Sequence, residues 1–136
     1  MIIEMIYYLC YTNSNPKEKK LFTADYQGVV CCLSYVRGDN PIWTIPEADR
    51  NNVRALAVTI EGKYLITAGD DAVIKVWETL NGKLVTKLAG HKECIFSLTL
   101  SSDGKYLVSG DLLGSIRQWS IGDWTLIREL DARLLH

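Results

Sequence analysis

The apolar residues of this chain come in short runs, each closed by glycine, asparagine or aspartate, and one such pattern occurs twice. Gly62 to Trp77 reads GKYLITAGDDAVIKVW, and Gly104 to Trp119 reads GKYLVSGDLLGSIRQW. The two segments align without a gap; six of the sixteen positions are identical, and Ile66/Val108, Thr67/Ser109 and Lys75/Arg117 keep shape or charge. Lys63 to Thr67 and Lys105 to Ser109 are rich in β-formers. Each is led in by an acid and a glycine, Glu61-Gly62 and Asp103-Gly104, which favour a tight turn, so each predicts the second strand of a hairpin. Val73 to Trp77 and Ser115 to Trp119 predict the next strand, and Asn81-Gly82 turns the chain into another over Lys83 to Leu88. A strand before Gly62 completes the unit.

Trp77 and Trp119 stand 42 residues apart, a spacing within the period of propeller blades. Four short antiparallel strands with an apolar face on both sides cannot bury those faces alone and must stack on neighbours. An earlier, degenerate copy is also present. Ile6 to Tyr11 is a first β candidate, and Leu21-Phe22-Thr23-Ala24 matches Leu65-Ile66-Thr67-Ala68 at a distance of 44 residues, placing Leu33 at the Trp77 position. The expected fold is therefore all-β, a partial β-propeller of about three four-stranded antiparallel blades. Residues 1–136 form one repeat region, with blades at roughly 6–45, 53–88 and 95–130, joined by Pro46 to Asn52 and Ala89 to Cys94.

Apolar residues make up 48% of the chain, enough for a folded core. Fifteen basic against sixteen acidic residues leave a formal charge of −1, which points to neither nucleic acid nor an anionic membrane. Lys17-Glu18-Lys19-Lys20 reads as a solvated turn. Cys10, Cys31, Cys32 and Cys94 contain no C-x-x-C pair and no zinc-site spacing, and fit reduced thiols of an intracellular, cytoplasmic protein. The apolar N-terminus carries Glu4, lacks a basic lead and is too short to span a bilayer, so it reads as a strand. Arg37-Gly38-Asp39-Asn40 reads as a hairpin turn rather than an integrin ligand.

Catalytic chemistry finds little material. The two histidines are His91 and His136, and His91-Lys92-Glu93-Cys94 lacks the second cluster that a metal site needs. No metal or cofactor is expected. In Asp70-Asp71, Asp71 is expected to turn back onto backbone amides and Asp70 to face water. Trp43 and Trp124, outside the repeating position, read as partly covered outer-strand aromatics.

From about Val53 to Leu130 the chain resembles the WD-repeat β-propeller family, on Gly90-His91, Asp71, Trp77, Trp119 and the hydroxyl residue ten positions before each tryptophan. The resemblance implies, within each blade, a buried chain formed by a loop histidine, a second-strand hydroxyl, a turn aspartate and the tryptophan. Carried over residue by residue, the third blade supplies His91, Ser109 and Trp119 but has Leu113 where the aspartate is expected. The second supplies Thr67, Asp71 and Trp77 but has Asp49 in the histidine's place. The first, with Thr23, Gln27 and Leu33, keeps only the hydroxyl. Neither later network is expected to be complete, and a gap in a buried polar chain leaves a partner unpaired or recruits water. Blades less stable than a consensus blade are therefore expected.

Three blades fall short of the four to eight that close a ring, leaving apolar end faces and open strand edges that favour association. The reading is a non-catalytic protein–protein interaction scaffold, part of a larger propeller or completed by another chain, either a second copy or further WD repeats. A truncated fragment without independent function and an enzyme on a propeller scaffold are the competing readings. The partner surface is expected on the loops, at Arg50, Asn52, Asp70, Lys92, Glu93, Asp111, Leu112 and Leu113.

Overall fold

The computed structural model describes residues 6–11, 20–25, 27–34 and 40–134, the first of these by backbone alone. They form three four-stranded antiparallel sheets, each with its strands in chain order. The first contains β1 (Ile6–Tyr11), β2 (Lys20–Asp25), β3 (Val30–Ser34) and β4 (Trp43–Ile45). The second contains β5 (Val53–Val58), β6 (Tyr64–Gly69), β7 (Ile74–Glu78) and β8 (Leu84–Leu88). The third contains β9 (Ile95–Leu100), β10 (Tyr106–Asp111), β11 (Ser115–Ser120) and β12 (Leu126–Asp131), followed by a 3-10 turn at Ala132–Leu134. Residues 17–19 and 37–39, in the basic cluster and the Arg-Gly-Asp triplet, and His136 lie outside the described residues. Lys20, the last of that cluster, is the first residue of β2, and its ammonium donates to the Thr79 carbonyl at 3.1 Å.

Register explains why the repeats look alike. Leu65 pairs with Trp77, Leu107 with Trp119, and Leu21 with Leu33, so one level of each sheet carries the same row. Side chains alternate between faces along a strand, and the middle sheet uses both. Val53, Leu65 and Trp77 pack with Phe22, Ala24, Val30, Cys32 and Ile45 of the first sheet. Ile66, Ala68, Ile74, Val76 and Leu88 pack with Ile95, Leu107 and Trp119 of the third. Burying such a side chain contributes roughly 1.5–3 kcal/mol, so the two interfaces hold the fold.

The far face of the third sheet is different. Leu130 stands where the middle sheet has Leu88, yet it is 43% exposed against 4%. Gln118 replaces Val76 on the same face, and Arg128 Nε donates to its Oε1 at 2.8 Å. Trp43 lies on β4 as expected, but Trp124 belongs to the turn before β12, with a φ of 57°, and meets Tyr64 of the middle sheet edge-on at 5.5 Å.

Candidate partner-binding face and its buried supports

One end of the stack is formed by the inter-sheet loops 46–52 and 89–94 and by the turns at 70–73 and 112–114, and it carries every loop residue predicted to meet a partner. Beneath it, each later sheet has a polar fastening. Trp119 Nε1 donates to Ser109 Oγ at 2.9 Å, and Trp77 Nε1 donates to Thr67 Oγ1 at the same distance.

In the third sheet the chain continues to a carboxylate. His91 Nε2 lies 2.7 Å from Ser109 Oγ, and His91 Nδ1 lies 2.7 Å from Asp111 Oδ2. An indole can only donate, so the Ser109 oxygen accepts from Trp119, and His91 links that hydroxyl to Asp111 through its two ring nitrogens. Asp111 Oδ1 accepts the amides of Leu113 and Ser115, both at 3.0 Å. Burial opposes charge at Asp111, but the His91 hydrogen bond and these amides outweigh it and hold the carboxyl below the usual range.

This overturns the expected gap in the third sheet. The aspartate is supplied by Asp111 at the end of β10, two positions before Leu113, where the family spacing puts it. The gapless alignment sets Asp111 against Gly69 and so hides it. The legible signal is the local one, an aspartate two and four residues ahead of the amides of a tight turn. Asp111 also leaves the predicted contact surface, since its side chain is 2% exposed.

The middle sheet is fastened by different chemistry. Asp49 stands at the His91 position, buried, and accepts the amides of Asn51 and Asp71 at 2.9 and 3.2 Å. Asp71 accepts the Val73 amide at 3.0 Å, as expected, and pairs with the Lys75 ammonium, which also donates to the Ala48 carbonyl at 2.6 Å. Burial, together with the neighbouring Asp71 charge, raises the Asp49 carboxyl above the usual range. In the third sheet Arg117 takes the place of Lys75, and its guanidinium crowds Gly90: a Cβ there would fall 1.8 Å from Nη1. The guanidinium end of Arg117 can swing aside, so it is the φ of 139° that favours glycine in front of His91.

Asp70 does not face water. It forms an ion pair with Arg54 and accepts the Asn52 amide at 3.3 Å. Burial opposes its charge, but the Arg54 contact prevails and lowers its carboxyl below the usual range. Arg54 in turn lies over the Phe96 ring at 4.9 Å, tying the middle sheet to the third. Of the remaining predicted contacts, Arg50 and Lys92 are exposed, as are Leu112 at 60% and Leu113 at 47%, while Asn52 and Glu93 are half-buried. Lys92, Leu113, Leu130 and Leu134 border a depression of about 470 Å³ at the uncovered end of the stack. Cys31, Cys32 and Cys94 are free thiols. No helix among the described residues is long and apolar enough to cross a membrane.

The family model described as WD domain, G-beta repeat matches residues 39–78 and 82–120, more than half of the chain. The chain belongs to the WD40-repeat family. Among WD40 relatives, it is 40% identical over 84 residues to Protein ROOT INITIATION DEFECTIVE 3 of Arabidopsis thaliana, covering 58% of this chain and 19% of that protein. It is 32% identical over 90 residues to the Target of rapamycin complex subunit wat1 of Schizosaccharomyces pombe, covering 66% and 28%. Among solved structures, the RRP9 WD40 repeats superpose with a TM-score of 0.85 at 19% identity, over 96% of this chain and 39% of that one. This WD40 chain thus spans well under half the length of the proteins it matches.

Proposed function

We propose that this WD40 chain is a non-catalytic protein–protein interaction module, three blades of a larger propeller, and that it meets its partner through the loop face carrying Arg50, Lys92, Leu112 and Leu113. The observation that carries the reading is the contrast on that face. Asp49, Asp71, His91 and Asp111 are spent on buried fastenings, whereas two cations and two leucines stand exposed above them. Large exposed side chains on a rigid support are what a protein partner uses. Membership of complexes by relatives, as in the name of the wat1 subunit, favours the same reading. The free thiols suit an intracellular, cytoplasmic setting.

The half-exposed Leu130 face is closed, in this reading, by further WD repeats. Light scattering across a dilution series tests closure: a persistent dimer would replace further repeats with a second copy of this chain. For the loop face, Lys92→Glu combined with Leu113→Ser should abolish affinity capture of partners while far-UV circular dichroism stays unchanged. Undiminished capture by a folded variant would remove the loop face from the reading.

A further inference from the structure

We propose that the loop joining the first two sheets is fastened by a proton shared between the Asp49 and Asp71 carboxylates, so that it tightens as the solution is acidified and loosens as it becomes alkaline. Three charged groups meet under this loop. Asp49 is 2% exposed, and the Asp71 and Lys75 side chains are 7% and 11% exposed. Two carboxylates and one ammonium leave one net negative charge out of water, and such a charge is relieved most cheaply by a proton.

The contacts show why Lys75 does not relieve it alone. Its ammonium is committed to Asp71 and to the Ala48 carbonyl. The Asp49 carboxylate takes its hydrogen bonds from two main-chain amides, one of them that of Asp71, which sets it beside the Asp71 charge. Charges on the surrounding elements are occupied or exposed. Asp70 is held by Arg54, Asp25 accepts the amides of Gln27 and Val29, and Glu47 and Arg50 point to solvent. The third sheet shows the contrast: there an imidazole brings its own proton to Asp111, whereas a carboxylate in that position must take one from solvent.

The direction follows from linkage. An acid that holds its proton more tightly when folded adds stability as pH falls through its folded value, and that contribution fades as pH rises above it. Asp49 is the carboxyl moved upward, by its burial and by the Asp71 charge beside it.

The test is carboxyl-carbon NMR of the full chain across pH, with amide hydrogen exchange at Asn51 and Asp71 corrected for intrinsic rate. One step of the pair should lie above the ordinary aspartate range. Protection of the two amides should rise severalfold as pH falls from about 6.5 to about 3, through the folded value and on past the ordinary aspartate value of about 4. Asp49→Asn should remove the pH dependence, because the amide brings its own hydrogens to Asp71. Both carboxyls titrating in the ordinary range would overturn the proposal, as would a folded Asp49→Asn variant that keeps the wild-type slope. Should that variant not fold, the wild-type carboxyl titration decides alone.

Discussion

The indole of Trp43 occupies the space that a side chain at Gly82 would need. A Cβ on Gly82 would fall 2.9 Å from two ring carbons, and the backbone there has a φ of 75°, so the turn after β7 and the outer strand of the first sheet are fitted to one another. Trp43 Nε1 also donates to the Thr79 carbonyl at 2.9 Å, beside the Lys20 ammonium on the same oxygen.

Gly82→Ala should therefore cost about 1–3 kcal/mol, through backbone strain and displacement of the ring. Trp43→Phe keeps most of the packing and leaves the carbonyl with Lys20, so it should cost only about 0.5–1 kcal/mol. Urea denaturation midpoints at constant m-value distinguish the two; equal losses would mean that the hydrogen bond, not the close approach, holds this junction.

Ser109 serves two partners, since the Trp119 indole and the His91 ring both meet its hydroxyl. Ser109→Ala leaves two buried groups unpaired and should destabilise by about 2–4 kcal/mol, at about 1–3 kcal/mol per orphaned group. Thr67→Ala, measured in the same denaturation series, should cost less, because the fastening of the middle sheet is shared with Asp49, Asp71 and Lys75.

Asp111 sets an acid limit. Its folded carboxyl lies below the unfolded value, so its contribution is present above about pH 4, the unfolded aspartate pKa, and is lost as pH falls through the folded value. Asp111→Asn should lower stability at neutral pH and flatten the stability profile below about pH 4. Thermal melts between acid and neutral pH read both effects, and an unchanged acid slope would assign the acid sensitivity elsewhere.

Lys75→Met should be among the most damaging single changes, costing about 3–5 kcal/mol, because it leaves the buried Asp71 carboxylate without its cation and next to Asp49. Combining it with Asp49→Asn should recover part of that loss. A double variant no more stable than Lys75→Met would show that the lysine acts through packing rather than charge.

Leu88 and Leu130 occupy equivalent places in successive sheets with opposite exposure. Leu88→Ala should cost about 2–5 kcal/mol, as a full cavity does, whereas Leu130→Ala in the isolated chain should cost at most about 1 kcal/mol. Equal costs in chemical denaturation would mean that the third sheet's far face is covered in solution.

The repeat is legible because its signal is local: glycine turns and short β runs recur every 42 residues, and the strands follow from them. Thr67, Trp77, Ser109, Trp119 and His91 can likewise be read in register. Asp111 cannot, since a carboxylate reaching His91 from the end of a strand substitutes for one reaching it from the turn, and spacing in sequence does not report where two side chains converge. Asp70 escapes for a related reason. Its partner Arg54 lies on the neighbouring strand, so an acid that looks solvated within its own turn is paired across the sheet. Trp124 looks like a strand residue by composition, yet its backbone adopts a left-handed conformation at the place where the preceding repeat has Gly82.

The middle sheet is sandwiched on both faces, whereas β12 ends the stack with five of its six residues exposed. That asymmetry gives the molecule an order of opening. In a stack in which each unit touches only its neighbours, escape begins where one contact must break rather than two. Amide deuteration should invade β12 first through partial excursions, while β6 and β7 exchange only when the whole chain comes apart, so the lifetime of the middle hairpin is the lifetime of the fold.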